Sequence, residues 1–432
     1  MASASTYLSK TFSTGDNRKK WTWSAWIKRS NLGSDNWLFH AWVNSSNENS
    51  IFFDSSDRLA FSIFEGGTNN NGRLTTTRKF RDTNAWYHIQ CVWDSANATA
   101  TDRMIIYVNG ERETAFDTQT NATLNYDSLI NSNNVHYIGQ YGSGSSSMRF
   151  SGSMTHVNFI DGTAYAASAF GETDATTGIW KPKTAPSVTY GTNGFFVKFE
   201  NSGSMGTDSS GNGNNFTVNG TLTQTVDTPS NVFATLNPLQ KYGGSLSNGN
   251  LTYVGTQDPD WIVATLAASA GKYYWEAQVN SGSSFILLGV TTTDTASAKQ
   301  SASIGNDFIG FRNGDSFYNF GTLVTSSYSY ADSDIFGFML DLTAGECKFY
   351  QNDTLKQTIT LPTDKGDTWI PVVGDTFDVT DGNYDLNFGN GYFGTTAVSS
   401  ANNDPNGLGI FEYDTKTGYA LCTKNINEQE YS

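Results

Sequence analysis

The histidines are the first residues to consider for chemistry, because a nucleophilic serine or cysteine needs a nearby base, which is usually histidine. The four histidines are His40, His88, His136 and His156. The last three lie in strand-like runs beside large apolar residues, which favours packing over catalysis. No Gly-x-Ser-x-Gly elbow precedes a predicted helix and no glycine-rich loop opens one, so hydrolase and phosphate-binding scaffolds are missing. The run "GSGSSS" (142–147) is interpreted as a flexible turn.

A second candidate site consists of oxygen-bearing side chains in the segment "TDSSGNGNN". Asp208, Asn212 and Asn214 would offer calcium the hard oxygen ligands that it prefers. The segment lacks the spacing and the terminal glutamate of an EF-hand, and Gly/Asn/Asp turns are ordinary in β proteins. The sequence therefore favours a structural turn, with a calcium site as the alternative hypothesis.

Aromatic residues form the third set of candidates, since exposed Trp and Tyr stack on sugar rings while their polar ends reach hydroxyl groups. The residues near loops or clustered early in the chain are Trp21, Trp23, Trp26, Trp37, Trp42, Tyr141, Tyr328 and Tyr330. Alternating aromatics also fill cores, and for any single residue the core is the favoured interpretation. The sequence does not say which of them face water.

The elements that position these residues are β-strands. In the segment 334–362, three apolar runs with period two are separated by tight turns at 343–346 and 352–353, which predicts a β-meander. The run Met104–Val108 leads into Asn109-Gly110, the strongest short hairpin signal. The one predicted helix is a short one within 163–170. Strands at this spacing without intervening helices predict an all-β protein of antiparallel sandwiches.

Length and composition limit the function further. A chain of 432 residues is expected to form two or three domains. The net charge of −15 is spread along the chain and excludes an electrostatic footprint for nucleic acid. No apolar stretch is long enough to span a bilayer, and "MASAS" lacks the features of a signal peptide, so synthesis in a cytoplasm is expected. Cys91, Cys347 and Cys422 are predicted to be buried free thiols.

The first part of the chain resembles the laminin-G/concanavalin A-like lectin superfamily. The matching motifs, in family order, are Trp86-Tyr87-His88, Ile106–Gly110, Ile138-Gly139, Phe150-Ser151-Gly152 and Asp161-Gly162. The resemblance covers 1–190 and implies a jelly roll of two curved sheets. It also lends support to calcium, because laminin-G relatives often bind this ion at a sheet rim.

The last part, 229–432, resembles the SPRY domain. The matching motifs are "GKYYWEAQV", "LLGV", "DIFGFMLDLTAGECKFYQND", "WIPVV" and "LNFGN". The chain departs from the family at Asn352-Asp353, where Asn-Gly is usual, and at Asn390, often Gln. The resemblance implies a second antiparallel β-sandwich. Between the two modules, 191–228 is rich in Gly, Asn and Ser and is predicted to be a connector that could wrap back onto the first sandwich.

The whole arrangement resembles structural proteins of tailed phages, especially marine ones, which join a laminin-G-like module to a SPRY-like one. This resemblance implies a non-enzymatic virion protein, displayed on the particle surface as a fibre, knob or decoration. Its expected partners are other virion proteins and, for adhesion, host envelope glycans. A homo-oligomer is expected in such proteins; trimers are common among phage fibres, although no heptad or β-helical repeat here enforces one.

A carbohydrate-active enzyme is the alternative function, because a jelly roll can carry the two facing carboxylates of a glycosidase. Laminarinase-like enzymes place Glu-x-Asp-x-x-Glu along one strand. Two partial matches begin at Glu172 and Glu412, but Thr177 and Thr417 occupy the position of the last glutamate. The full motif is absent, so binding is favoured over turnover.

Overall fold

The computed structural model describes residues 6–14, 16–142, 144, 148–256, 259–281, 286–300, 302–312, 316–375 and 382–431. The "MASAS" terminus and most of "GSGSSS" lie outside the described residues. The chain divides into two compact units, Met1–Gln224 and Thr225–Ser432, called the first and second units below. Both are built from antiparallel sheets, which confirms the all-β, two-sandwich prediction.

The strands of the first unit follow one another in short succession. They are β1 (Tyr7–Thr11), β2 (Lys20–Arg29), β3 (Asn36–Asn44), β4 (Asn47–Phe53), β5 (Arg58–Glu65), β6 (Arg73–Lys79), β7 (Trp86–Asp94), β8 (Met104–Val108), β9 (Glu111–Arg112), β10 (Phe116–Thr120), β11 (Val135–Ile138), β12 (Gly152–Asp161), β13 (Gly171–Thr173), β14 (Trp180–Pro182), β15 (Phe195–Val197) and β16 (Thr217–Asn219).

Two sheets of the first unit enclose its core. The described residues form an eight-stranded sheet in the order β10-β6-β5-β4-β3-β11-β1-β16 and a six-stranded sheet in the order β15-β12-β2-β7-β8-β9. Alternate residues of β2 point inward, so Trp21 and Trp23 are fully buried there. Of the predicted connector 191–228, residues 191–224 belong to the first unit and contribute β15 to one sheet and β16 to the other.

The outer face of the six-stranded sheet is also buried, under the segment 163–190. Gln90 on this face donates from Nε2 to the Tyr165 carbonyl at 2.7 Å. The predicted helix at 163–170 is reduced to a single 3₁₀ turn, Ala167–Ala169. No side chain caps that turn, and Ala166 before it is extended, so the helix does not continue in either direction.

The second unit has its own strands and two short helices. They are β17 (Leu236–Tyr242), β18 (Ser245–Ser247), β19 (Thr252–Val254), β20 (Asp260–Ala264), β21 (Lys272–Ser281), β22 (Ile286–Thr292), α1 (Thr293–Ala298), β23 (Ile309–Arg312), β24 (Ser316–Asn319), β25 (Thr322–Ser326), β26 (Ile335–Asp341), β27 (Glu346–Gln351), β28 (Thr354–Thr360), β29 (Trp369–Asp375), β30 (Asn383–Asn387), β31 (Tyr392–Phe393), β32 (Thr396–Ala397), β33 (Asn402–Asn403), β34 (Ile410–Phe411), β35 (Tyr419–Ala420) and α2 (Thr423–Tyr431).

The predicted meander is present as β26, β27 and β28, paired in sequence at one side of a sheet ordered β18-β19-β30-β21-β26-β27-β28. The facing sheet has the order β17-β20-β29-β22-β23-β24-β25. Asn352 and Asp353 both adopt positive φ, at 47° and 64°, in the turn between β27 and β28. Asp therefore takes the left-handed conformation that glycine would adopt more easily, and the tight turn is kept.

A buried carboxylate fastens the C-terminal segment to β21. Glu276 is fully buried and accepts hydrogen bonds from the backbone N–H groups of Glu412 and Tyr413, both at 2.9 Å. Asn387 Nδ2 and the Tyr274 hydroxyl also donate to this carboxylate, at 3.1 Å and 3.2 Å respectively. Burial raises the pKa of Glu276 to about 7, and these hydrogen bonds oppose the rise.

The raised pKa predicts that this unit loses stability as the pH rises. Glu276 has a pKa of about 7 in the folded state, against an ordinary pKa of 4.5 in the unfolded state. The resulting stabilisation of the folded state is complete below pH 4.5 and is lost as the pH rises through 7. The loss amounts to at most about 3 kcal/mol, at roughly 1.4 kcal/mol per pKa unit. Urea unfolding between pH 5 and pH 8 should therefore show a smaller decline for Glu276→Gln than for the wild type.

Asp332→Asn is the matched control, because Asp332 is exposed in the same unit. Its pH profile should follow that of the wild type. Parallel profiles for wild type and Glu276→Gln would contradict the assignment of the pH dependence to this carboxylate.

Candidate functional site

The outer face of the eight-stranded sheet carries a row of half-buried aromatic side chains. Tyr7 on β1, Tyr137 on β11 and Trp42 on β3 lie on adjacent strands. Their neighbours Leu8 and Ile138 point to the other side and are fully buried in the core. The Tyr7 and Tyr137 ring centroids are 5.9 Å apart. The pleat therefore leaves aromatic faces on the solvent side of three neighbouring strands.

Tyr141, which follows β11, completes this surface. Its ring stacks on His40 at 5.1 Å with an interplanar angle of 11°. It also meets Trp37 and Trp42 edge-on, at 4.9 and 5.0 Å. The next residue must be small, because a Cβ at Gly142 would come within 2.2 Å of the Trp42 indole. We call Tyr7, Trp42, Tyr137 and Tyr141, with His40 and Glu48, the aromatic site.

A fixed hydrogen-bond network lies within the aromatic site. The backbone N–H of Gly142 donates to His40 Nδ1 at 3.0 Å. Nδ1 is therefore unprotonated, and the ring proton on Nε2 is donated to Glu48 Oε2 at 3.1 Å. The Tyr141 hydroxyl bonds to Glu48 as well, and burial followed by this carboxylate raises the pKa of Tyr141 to about 12. The Glu48 side chain keeps 13% of its surface exposed.

This arrangement suits the recognition of a polyhydroxylated ring. Aromatic faces bind the apolar C–H side of a sugar, while a carboxylate accepts hydrogen bonds from its hydroxyls. Glu48 is held by two donors, so its remaining lone pairs have a defined direction. A pre-positioned acceptor loses little conformational entropy on binding.

A serine–histidine pair in the first unit has the wrong polarity for nucleophilic catalysis. Ser24 Oγ lies 2.8 Å from His88 Nε2, and both residues are buried. Trp180 Nε1–H donates to His88 Nδ1 at 3.0 Å, so the proton of the neutral ring is on Nε2. Nε2 therefore donates to Ser24 instead of accepting its proton. Burial, with a smaller effect of His156, lowers the pKa of His88 to about 3.

The remaining histidines have structural contacts. His136 is fully buried, accepts from the Asn131 N–H at 3.1 Å and donates to the Asn134 carbonyl at 2.9 Å. His156 Nδ1 lies 2.9 Å from the Thr155 hydroxyl. His88 and His136 are packed in buried positions, as the sequence predicts. His40 is the histidine at the aromatic site.

The structure brings Asp208, Asn212 and Asn214 together in one loop. The Asp208 carboxylate accepts from the N–H groups of Phe196, Ser210 and Asn214 at 2.8–2.9 Å, and from the Ser210 hydroxyl at 2.8 Å. The amide nitrogens of Asn212 and Asn214 both donate to the Gly194 carbonyl at 2.9 Å. These hydrogen bonds order the loop. Within the described residues no three His, Cys, Asp or Glu side chains are grouped to bind a metal.

The other aromatic candidates are mostly packing residues. Trp21, Trp23, Trp26 and Trp37 are at most 5% exposed. The Tyr328 ring packs on Phe317 at 5.0 Å, and Tyr330 on Phe311 at 5.8 Å. Tyr7, Tyr137 and Glu48 were not predicted from the sequence, whereas His40 was among the histidines considered. The period-two pattern of β3 and β11 could have indicated Tyr137 and the outward direction of His40, because each of the two lies between two buried residues.

The two partial glycosidase motifs lie in different units. Asp174, next to Glu172, accepts from the N–H groups of Thr176 and Thr177 at 3.0 Å and pairs with Lys181 at 2.9 Å. The Glu412 carboxylate accepts from the Ser399 N–H at 2.6 Å. Asp174 is thus engaged in a local turn, and Glu412 binds a segment thirteen residues earlier in the chain. Among the described residues, no helix combines the length and apolarity that a membrane span requires.

The Asp208 loop gives a stability prediction. Replacing the carboxylate in Asp208→Asn puts an amide among N–H donors and should lower the free energy of unfolding by about 1–3 kcal/mol. Thermal unfolding with calcium and with a chelator would measure this, with Asp127→Asn, an exposed position of the same unit, as control. If the loop is a structural turn, Asp208→Asn should lose the same free energy of unfolding with calcium as with the chelator. A calcium-dependent gain in the wild type alone would instead identify Asp208, Asn212 and Asn214 as ligands.

Comparisons with known proteins found one matching family model and several similar solved structures. The family model of the concanavalin A-like lectin/glucanases superfamily, Laminin_G_3, matches residues 3–168. No curated protein matches the chain. The SPRY domain of human HERC1 is 16% identical, with a TM-score of 0.30, over 35% of this chain and 96% of that structure.

Two further solved structures are similar at the same level. A candidate carbohydrate-binding protein from Bacteroides ovatus is 19% identical, TM-score 0.31, over 51% of this chain; the chain spans 57% of that structure. A SAP-like pentraxin from Limulus polyphemus is 17% identical, TM-score 0.29, over 37% of this chain and 71% of that structure. The chain thus has two β-sandwich modules, and residues 3–168 are similar to concanavalin A-like lectins and glucanases.

Proposed function

We propose that this chain is a carbohydrate-binding protein that holds glycans at the aromatic site without cleaving them. The observation that carries the proposal is the half-exposed row of Trp42, Tyr137 and Tyr7 beside the fixed Glu48 carboxylate. Similarity of residues 3–168 to a superfamily of lectins and glucanases supports it. Because the aromatic residues are spread over three neighbouring strands, the surface suits an extended polysaccharide better than a single small molecule.

The biological setting we propose is the surface of a tailed phage particle, where the chain acts as a fibre, knob or decoration component. The order of the laminin-G-like and SPRY-like motifs supports this proposal, as does the low charged fraction of 16%. A particle displays many copies, so individually weak glycan sites gain avidity. Its partners would be other virion proteins and glycans of the host envelope.

The aromatic site predicts which substitutions weaken binding. Trp42→Ala removes a stacking face and Glu48→Gln removes a charged acceptor, and each should weaken glycan affinity about tenfold. Tyr107→Ala is the control, since Tyr107 is a half-buried tyrosine on the six-stranded sheet. A host-envelope glycan array followed by calorimetry measures the affinities, with and without calcium.

Loss of affinity in Trp42→Ala and Glu48→Gln but not in Tyr107→Ala is the expected result. Equal affinities in all variants would contradict the placement of the site. Release of new reducing ends from a bound glycan would favour the alternative function, a carbohydrate-active enzyme. Absence of glycan binding, together with binding to capsid or tail proteins, would leave an assembly role alone.

A further inference from the structure

The edge strands of the sheets differ in how they are protected against pairing with another chain. Among the described sheets, the edge strands of five or more residues are β10, β17, β25 and β28. Natural proteins blunt such edges with charge, proline or β-bulges, and all four of these edges have a register irregularity, so charge and proline are the features that distinguish them. Asp117 lies in β10, Pro238 and Lys241 lie in β17, and Lys356 lies in β28. β25, with the sequence TLVTS, has neither a charge nor a proline.

β25 also carries two exposed apolar side chains. Leu323 is 53% and Val324 is 39% exposed. In the register with β24, Thr325 pairs with Phe317 and Leu323 with Tyr318, so Val324 is the extra residue of a bulge. Its side chain therefore has no directly opposite neighbour on β24. From Ser316 to Ala331 the chain carries no charged residue.

We propose that β25 is a self-association surface, at which the β25 edges of two copies pair antiparallel about a two-fold axis. Two copies that each carry a net charge of −15 repel one another, and repulsion is smallest where no charge is present. A two-fold contact places the same segment of both copies together, so an uncharged segment with exposed Leu323 and Val324 is complementary to itself. The occupant of this edge is therefore a second copy of the chain.

The pairing continues the seven-stranded sheet of the second unit into that of the partner copy. The backbone groups on the open side of β25 then gain the hydrogen bonds that a strand edge lacks. This contact does not depend on the proposed glycan binding. Where both hold, each dimer carries two glycan sites and binds a polysaccharide with avidity.

Sedimentation equilibrium of the full chain tests the proposal. The wild type is expected to dimerise, and Val324→Lys should raise the dimer dissociation constant at least about tenfold, because two like charges would meet at the axis. Leu239→Lys is the matched control, since Leu239 is a 44% exposed residue on β17, the opposite edge of the same sheet. Its dissociation constant should equal that of the wild type.

Cross-linking gives an independent measurement. Cys91, Cys347 and Cys422 are all fully buried, whereas Thr322 is exposed. The thiol introduced by Thr322→Cys is therefore more accessible than the three native thiols. A flexible bismaleimide should join two Thr322→Cys chains, and adding Val324→Lys should abolish the product. A wild type that stays monomeric, a trimer, or equal weakening by Val324→Lys and Leu239→Lys would each overturn the proposal.

Discussion

The fold depends on buried polar side chains that hold later segments of the chain against the outer faces of sheets. In the first unit, the His88 ring accepts from Trp180, which follows it by 92 residues. In the second unit, Glu276 accepts from the backbone of Glu412 and Tyr413, more than 130 residues later. Burying such groups without partners is unfavourable, because an unsatisfied buried polar group costs about 1–3 kcal/mol, against a net gain of about 0.5–1.5 kcal/mol for one hydrogen bond. These contacts therefore specify where the covering segments lie.

The same constraint explains why the aromatic site is on the eight-stranded sheet. The outer face of the six-stranded sheet is covered, and its residues Trp26 and Gln90 are almost fully buried. On the eight-stranded sheet the cover near β3 includes Tyr141 and Gly142, which bury Trp37 but leave Trp42 half-exposed. Partial covering gives a surface that is rigid and still reachable. Rigidity matters for a binding site, because a side chain that is already ordered loses less entropy when a ligand arrives.

Much of the fold could be predicted from sequence because the signals for strands are local. The meander at 334–362 and the hairpin at Asn109-Gly110 follow from alternation and turn residues within a few positions. The aromatic site could not be predicted in this way. Trp37 and Trp42 lie on the same strand, and the exposure of both depends on Tyr141, which contacts them from about a hundred residues later in the chain. The hydrogen bonds of the Asp208 loop similarly depend on Phe196 and Gly194, outside the turn itself.

The geometry around Glu48 supports binding more directly than it supports cleavage. A glycosidase needs one carboxyl group that donates a proton and a second one that faces it across the sugar. Glu48 instead accepts from His40 Nε2–H and from the Tyr141 hydroxyl, and His40 is fixed as a donor by the backbone N–H of Gly142. Each link of this chain of hydrogen bonds points toward the carboxylate, so the carboxylate is arranged to accept. An acceptor among aromatic faces is complementary to sugar hydroxyls, which donate, and to the C–H face of the ring, which stacks.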